Sequence, residues 1–261
     1  MSSTSYATEL EFAVETAWQA GRVTTRYFQT GTEVFSKEDA SPVTAADRES
    51  EQLMRERIMR YYPQDGVLGE EFGELNAGSK RRWILDPIDG TKSFVHGVPL
   101  YGVLLALEED GEAVLGVLHF PALAETVWAA RGAGCWFDGK RASVSNTATV
   151  EEALVCATDV EFIEEQGRRA AWDRLRQRAR LARTWGDCYG YALVATGRAE
   201  IMLDPTLAPW DSAALKPVLE EAGGVFTDWN GVPTHLGAGG IATNAALAGE
   251  VRALLGVTGG N

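Results

Sequence analysis

The segment "WILDPIDGTKSFVHG", Trp83 to Gly97, changes character in its middle. The apolar run Trp83-Ile84-Leu85 reads as a buried strand, and it stops at Asp86-Pro87-Ile88-Asp89-Gly90-Thr91. A strand that ends in an acidic loop delivers its last side chains to a sheet edge, where ligands of α/β proteins gather. Pro87 fixes its own φ and so holds the two acids in place. Gly90 permits a tight turn. If Thr91 then opens a helix, the amides of Gly90 and Thr91 are first-turn donors that favour a phosphate. Two carboxylates about 4 Å apart repel by roughly 4 kcal/mol at an intermediate dielectric. Acids and anion-binding amides make sense together only with a divalent cation between them.

An ordinary surface turn explains the proline and the glycine but not the whole six-residue pattern. A calcium loop needs oxygen donors at alternate positions and a glutamate at its twelfth; counted from Asp86, the twelfth residue is Gly97. A phosphatase that forms a covalent aspartyl phosphate would carry Asp-x-Asp-Gly-Thr, and two positions before Asp89 stands Pro87, which has no nucleophile. The histidines His96, His119 and His235 are scattered, which speaks against a zinc hydrolase, and His96 and His119 read as structural.

Other acids occupy comparable positions. Glu70 and Glu71 follow a short strand in "GVLGEEFGE". Asp47 in "SPVTAADRESE", Asp187 in "RTWGDCYGY" and Asp211 in "APWDSAA" each suit the start of a helix, where the dipole favours an acid. Asp204 precedes Pro205 in an ordinary turn signal. Taken singly, each has a local explanation.

Around these residues the chain divides in rhythm near Asn146. Helical recurrence predicts one helix from Tyr6 to about Gln29 and another from about Ala45 to Tyr61. Two hairpins follow, turning at Asp110-Gly111 and Asp138-Gly139. From "ALVCATD" onward, strands alternate with helices, among them one charged helix over Phe162–Arg180 and one in "PWDSAALKPVLEEAGG", which Pro217 should kink or shorten. The expected organisation is α+β over residues 1–146, helices on an antiparallel meander, and α/β over 147–261.

The composition is that of a soluble globular protein: 45% apolar, 23% charged, and a net charge of −13 from 24 basic and 37 acidic residues. That balance argues against binding nucleic acid or an anionic membrane surface. Cys135, Cys156 and Cys188 are odd in number and far apart, so they read as buried thiols in a reducing compartment. No signal peptide or membrane span is visible, and a cytoplasmic protein is expected.

"GEE", "WILDPIDGTKSFVHG" and "PWDSAALKPVLEEAGG", in this order and at these separations, resemble the inositol-monophosphatase-like family of metal-dependent, lithium-sensitive phosphatases. The likeness runs from Lys37-Glu38 to "ATN" near the C-terminus. Lys92-Ser93-Phe94 and "RTWGDCYGYALVATGRAEIMLDP" are most similar to its histidinol-phosphate phosphatase branch. The resemblance implies a layered αβαβα sugar-phosphatase-like fold, a homodimer, and two magnesium ions with a third touched by Glu70 through water. Glu70, Asp86 and the Ile88 carbonyl would hold the first ion, and Asp86, Asp89 and Asp211 the second. Asp47 and Thr91 would position and deprotonate the attacking water, while the Gly90 and Thr91 amides receive the phosphate. Glu71 and Lys37 would support the ligands from behind.

By the same resemblance, Asp187 and Asp204 face the group that carries the phosphate. Histidinol bears an amine and an imidazole, for which carboxylates are attractive partners. Trp185, Tyr189 and Trp210 would either wall the site or belong to the core. An inositol-1-monophosphatase, another small phosphomonoesterase, and a non-catalytic metal- or phosphate-binding regulator stay open as alternatives.

Overall fold

Val103, Leu105 and Leu107 point to one side of their strand and Leu104 and Ala106 to the other, and all five are buried. A strand buried on both faces needs a layer on each side. The computed structural model, which describes residues 6–31, 34–36 and 42–257, supplies them.

In chain order the first part comprises α1 (Ala7–Thr25), β1 (Val34–Ser36), β2 (Pro42–Thr44), α2 (Ala45–Tyr61), β3 (Gly66–Gly69), β4 (Gly73–Leu75), β5 (Arg81–Asp89) and α3 (Thr91–Val95). The meander β6 (Gly102–Glu109), β7 (Glu112–Phe120), β8 (Glu125–Ala130), β9 (Gly134–Phe137) and β10 (Lys140–Arg141) follows. Then come β11 (Leu154–Ala157), α4 (Val160–Glu165), α5 (Arg169–Arg178), β12 (Leu181–Arg183), α6 (Asp187–Ala195) and β13 (Ile201–Asp204). The last elements are α7 (Pro209–Ser212), α8 (Leu215–Glu221), β14 (Gly224–Thr227), β15 (Gly240–Asn244) and α9 (Ala248–Leu255).

An eight-stranded sheet runs in the order β10-β9-β8-β7-β6-β5-β3-β4, and a five-stranded sheet in the order β12-β11-β13-β15-β14. On the outer face of the larger sheet, Phe12, Ala13 and Ala17 of α1 and Met54 and Ile58 of α2 cover Trp83, Leu85, Val103 and Leu105. Its inner face packs Ile84, Leu104, Leu118 and Phe120 on Tyr191 and Val194 of α6 and Leu215 and Leu219 of α8. Those helices also cover Cys156, Met202 and Phe226 of the smaller sheet. The far side of that sheet holds Val155, Ile201, Leu203 and Ile241 against Trp172 and Leu175 of α5 and Val251 of α9. The result is the five-layered αβαβα arrangement.

Three details differ from expectation, and a fourth meets it. The first half is not a pure antiparallel meander, because β3 pairs parallel to β5. β5 does not stop at Leu85 but runs on to Asp89, with its register against β6 shifting between Asp86 and Asp89. The single helix over Phe162–Arg180 is two helices, α4 and α5, separated at Gly167. Pro217 does interrupt its helix: lacking an N–H and crowding the carbonyl four residues back, at Ala213, it leaves α7 and α8 as separate pieces.

The joint between those pieces packs tightly on β7. A Cβ on Gly116 would lie 2.2 Å from the Ala214 carbonyl oxygen, a backbone atom that cannot swing aside. Gly116→Ala should therefore destabilise the fold by about 1–3 kcal/mol, visible as a fall of several degrees in Tm in a thermal melt. A wild-type Tm would contradict this packing.

Candidate active site

The register shift in β5 gives the site its shape. Between Asp86 and Asp89 the strand bulges, so both carboxylates reach the same edge of the sheet instead of alternating as strand neighbours do. The bulge is held locally: the Ile88 amide donates to Asp86 Oδ1 at 3.0 Å, and the Thr91 hydroxyl donates to the Ile88 carbonyl at 3.0 Å. Gly90, left-handed at φ 83°, turns the chain into α3. From the other half of the molecule, the Cys188 amide donates to Asp89 Oδ2 at 2.5 Å.

The helix-start acids do have their local role, and it leaves them half free. Asp47 Oδ2 accepts from both the amide and the hydroxyl of Thr44, at 2.7 Å each, closing the N-terminus of α2. Asp211 Oδ2 accepts from the Ala208 amide at 2.7 Å and closes α7. Each has a second oxygen for other work. Carboxylate oxygens of Asp86, Asp89 and Asp211 lie within 4.8 Å of one another. Asp86 also feels the charges of Glu70 and Asp47. Burial, then the surrounding acids, raises Asp86 and Asp89 well above the usual carboxylate range. Burial pushes Asp47 and Asp211 up to about 6. A group of carboxylates with no cationic side chain among its donors suits a hard divalent cation.

The cluster opens into a cavity of about 620 Å³. Thr91, Lys92, Asp187 and Asp204 line it, as do Asp159, Glu161 and Glu165. Asp187 opens α6 with φ +50°, its amide bonded to the Thr158 hydroxyl at 2.8 Å. Its Oδ2 sits so near Gly90 that a Cβ there would be 3.0 Å away. Burial raises Asp187 to about 6 against the pull of Lys92 and a bond from Ser93. Asp204 is buried, and burial carries it up to about 8.

The aromatic wall is not found. Trp185 is exposed, Tyr189 packs edge-on against Phe120, and Trp210 packs against the main core. None of the three lines the cavity, whose apolar surface comes from Val98, Leu100, Phe162 and Leu207. Lys37 lies outside the described residues. Glu71 follows Glu70 at the tip between β3 and β4, where its amide donates to Glu51 Oε2 at 2.7 Å.

Sequence reasoning passed over the supports. The Ser212 hydroxyl, beside Asp211, donates to the His235 carbonyl at 2.7 Å. The His235 ring lies 2.8 Å from Glu108 Oε2, and Arg82 Nε donates to Glu108 at 2.7 Å. Burial would raise Glu108, but these bonds hold it at about 2. A further buried pair on α2, Arg55 Nε donating to Glu51 Oε1 at 2.7 Å, had a visible signal, a spacing of four residues along a helix that already carries Asp47.

Residues 5–255 match the inositol monophosphatase family. The chain belongs to that family. As a member it is a phosphatase, and its family is metal-dependent. It is similar to the histidinol-phosphatase of Chlorobaculum parvum, with 46% identity over 95% of this chain and 96% of that one. It is also similar to the histidinol-phosphatase of Mycobacterium tuberculosis, with 42% identity over 84% of this chain and 86% of the relative. Among solved structures, the extragenic suppressor protein suhB of Bartonella henselae superposes with a TM-score of 0.89 at 29% identity, over 95% of this chain and 98% of that one. No helix among the described residues is long and apolar enough to cross a membrane.

In the metal-free protein, Asp47 and Asp211 keep protons that the unfolded chain, with ordinary values of 3.8, has already released. Their contribution to stability is present below that value and is lost as pH rises through about 6. A divalent cation needs the deprotonated carboxylates, so its stabilising effect grows over the same window. Added magnesium should raise Tm only slightly at about pH 5 and markedly at about pH 8 in differential scanning calorimetry. An equal rise at both would contradict cation binding by these acids.

Proposed function

We propose that the protein hydrolyses L-histidinol phosphate to L-histidinol and phosphate, with magnesium in the acidic cluster and no covalent intermediate. The observation that carries this reading is the juxtaposition of that cluster with a cavity lined by Asp187, Asp159, Glu161 and Glu165 and, among the described residues, by a single lysine, Lys92. Such a wall favours a leaving group with an amine and an imidazole over one bearing a second phosphate. The two histidinol-phosphatases at 46% and 42% identity support it.

In this reading Glu70, Asp86 and the Ile88 carbonyl would hold one magnesium, and Asp86, Asp89 and Asp211 would hold a second, weaker one; Glu70 would touch a third through water. Bound magnesium supplies charge neutralisation on the phosphate and acidifies a bound water. The chain's own groups do the rest. The Thr91 hydroxyl spends its proton on the Ile88 carbonyl, so its oxygen is left to accept from the attacking water. Asp47, raised to about 6, is ionised at neutral pH and close to it in basicity, which suits a general base. The amides of Gly90 and Thr91 hold the phosphate, and Asp187 pairs with the substrate ammonium while Asp204 lies beneath. Residues 1–146 thus carry the metal site, and 147–261 contribute Asp211 and the substrate contacts. The reading includes a cytoplasmic homodimer. Three buried free cysteines accord with a reducing compartment, and sedimentation of the magnesium-loaded protein measures the assembly.

Phosphate release in magnesium should favour L-histidinol phosphate over myo-inositol 1-phosphate by at least about tenfold in kcat/KM, or about 1.4 kcal/mol. The reverse preference would sink the histidinol assignment and leave a phosphatase. Asp187→Asn suits the position because asparagine also tolerates the left-handed region. It should cut kcat/KM for histidinol phosphate by about 10–100-fold and barely alter turnover of p-nitrophenyl phosphate. Equal losses on both would reduce Asp187 to a helix start. Release from no monoester at all would leave a metal-binding regulator.

A further inference from the structure

Glu51 has no part in the reading above, yet its side chain is fully buried on α2, one turn after Asp47 and one before Arg55. Residues four apart share a helix face, and this face meets the tip of the β3–β4 hairpin. Both Glu51 oxygens are used there. Oε2 accepts the Glu71 amide at 2.7 Å; Oε1 accepts the Phe72 amide at 3.2 Å and Arg55 Nε at 2.7 Å. Arg55 Nη2 donates in turn to the Gly73 carbonyl. On the other flank, a Cβ on Gly69 would lie 2.1 Å from Glu51 Oε1, so only glycine lets the strand approach the carboxylate. Gly69 pairs with Gly73 across Glu70, Glu71 and Phe72, so these contacts hold the backbone on both sides of Glu70.

A buried ion pair is a poor device for stability alone, since well-packed apolar residues often serve as well or better. What this one supplies is position. Glu70 is repelled by Asp86, Asp211 and Asp47, all of which feel its charge. Without a restraint the hairpin tip would move away from the cluster. We propose that Glu51, braced by Arg55, is a positioning residue that holds Glu70 against this repulsion and thereby sets the affinity of the site for its cation. The same helix carries Asp47, so one rigid element fixes both acids relative to each other. The proposal rests on the reading of Glu70 as a metal ligand.

The test is Glu51→Gln, which keeps the side-chain shape but places an N–H₂ where one oxygen accepts. In substrate-free protein titrated calorimetrically with magnesium, the dissociation constant should rise about 10–100-fold. Amide exchange at Glu71 and Phe72 should quicken, and kcat should recover toward wild type at saturating magnesium. Met54→Ala, which empties a buried core position on the same helix, serves as the control: it should lower Tm and leave cation affinity alone. If both variants lower Tm alike and neither changes the dissociation constant, Glu51 is structural and the proposal falls. Should Glu51→Gln not fold, Arg55→Lys removes the Nε donor more gently; wild-type magnesium affinity in that variant overturns the proposal equally. Glu70→Gln, measured alongside, separates the two readings. Unchanged affinity there overturns Glu70 as a ligand and this proposal with it, whereas a loss there with none at Glu51→Gln overturns the proposal alone.

Discussion

Like charges held close together, against their own repulsion, set the terms for the rest of this molecule. Oxygens of Asp86, Asp89 and Asp211 lie within 4.8 Å of one another, with Glu70 and Asp47 near enough to raise Asp86 further. At an effective dielectric near 20, each such pair of ionised carboxylates costs on the order of 3 kcal/mol, before any cost of burial. A chain of ordinary stability carries several such pairs only if its framework resists being pushed apart or a cation removes the repulsion. Both conditions are built in: the cluster is made of hard oxygen donors, and each acid is tied down by a bond that does not use up its carboxylate.

Those ties are local and inexpensive. Asp47 and Asp211 each give one oxygen to closing a helix and keep the other. Asp86 gives one to the Ile88 amide two residues on, and Asp89 one to the Cys188 amide. Glu70 sits in a turn held by Glu51, and Ser212 anchors the short helix of Asp211 to the His235 carbonyl. An acid at the start of a helix and an acid in a metal site are therefore not competing explanations. One residue has room for both, because a carboxylate has two oxygens and a cap needs one.

The two sheets explain how acids so distant in the chain come together. The larger sheet brings Asp86 and Asp89 to its edge through the bulge in β5, and α2 lays Asp47 across the same end. The layer of α6, α7 and α8 between the sheets then delivers Asp187 and Asp211 from the second half. Pro217 takes part by cutting the predicted helix short, which frees the Asp211 turn to point its own way.

Much of this was legible in the chain itself. The stretch Asp86–Thr91 announces acids, a turn and anion-binding amides, because proline, glycine and paired carboxylates act on the backbone and the charge balance within a few residues. The hairpin turns and the alternating second half were readable for the same reason. What the sequence could not show depends on contacts between distant segments. Glu51 looks like any acid on a helix until its burial against the hairpin tip is seen. Trp185, Tyr189 and Trp210 stood open between cavity wall and core until the packing placed Tyr189 and Trp210 against the core and left Trp185 exposed. The parallel pairing of β3 with β5, the acids of α4 and Lys92 sharing one cavity, and the raised pKa of buried Asp204 follow from which surfaces meet. Short-range chemistry was thus determined by the sequence alone. Burial and long-range approach, which decide the pKa values and the lining of the cavity, exist only in the tertiary structure, because desolvation and repulsion depend on neighbours in space.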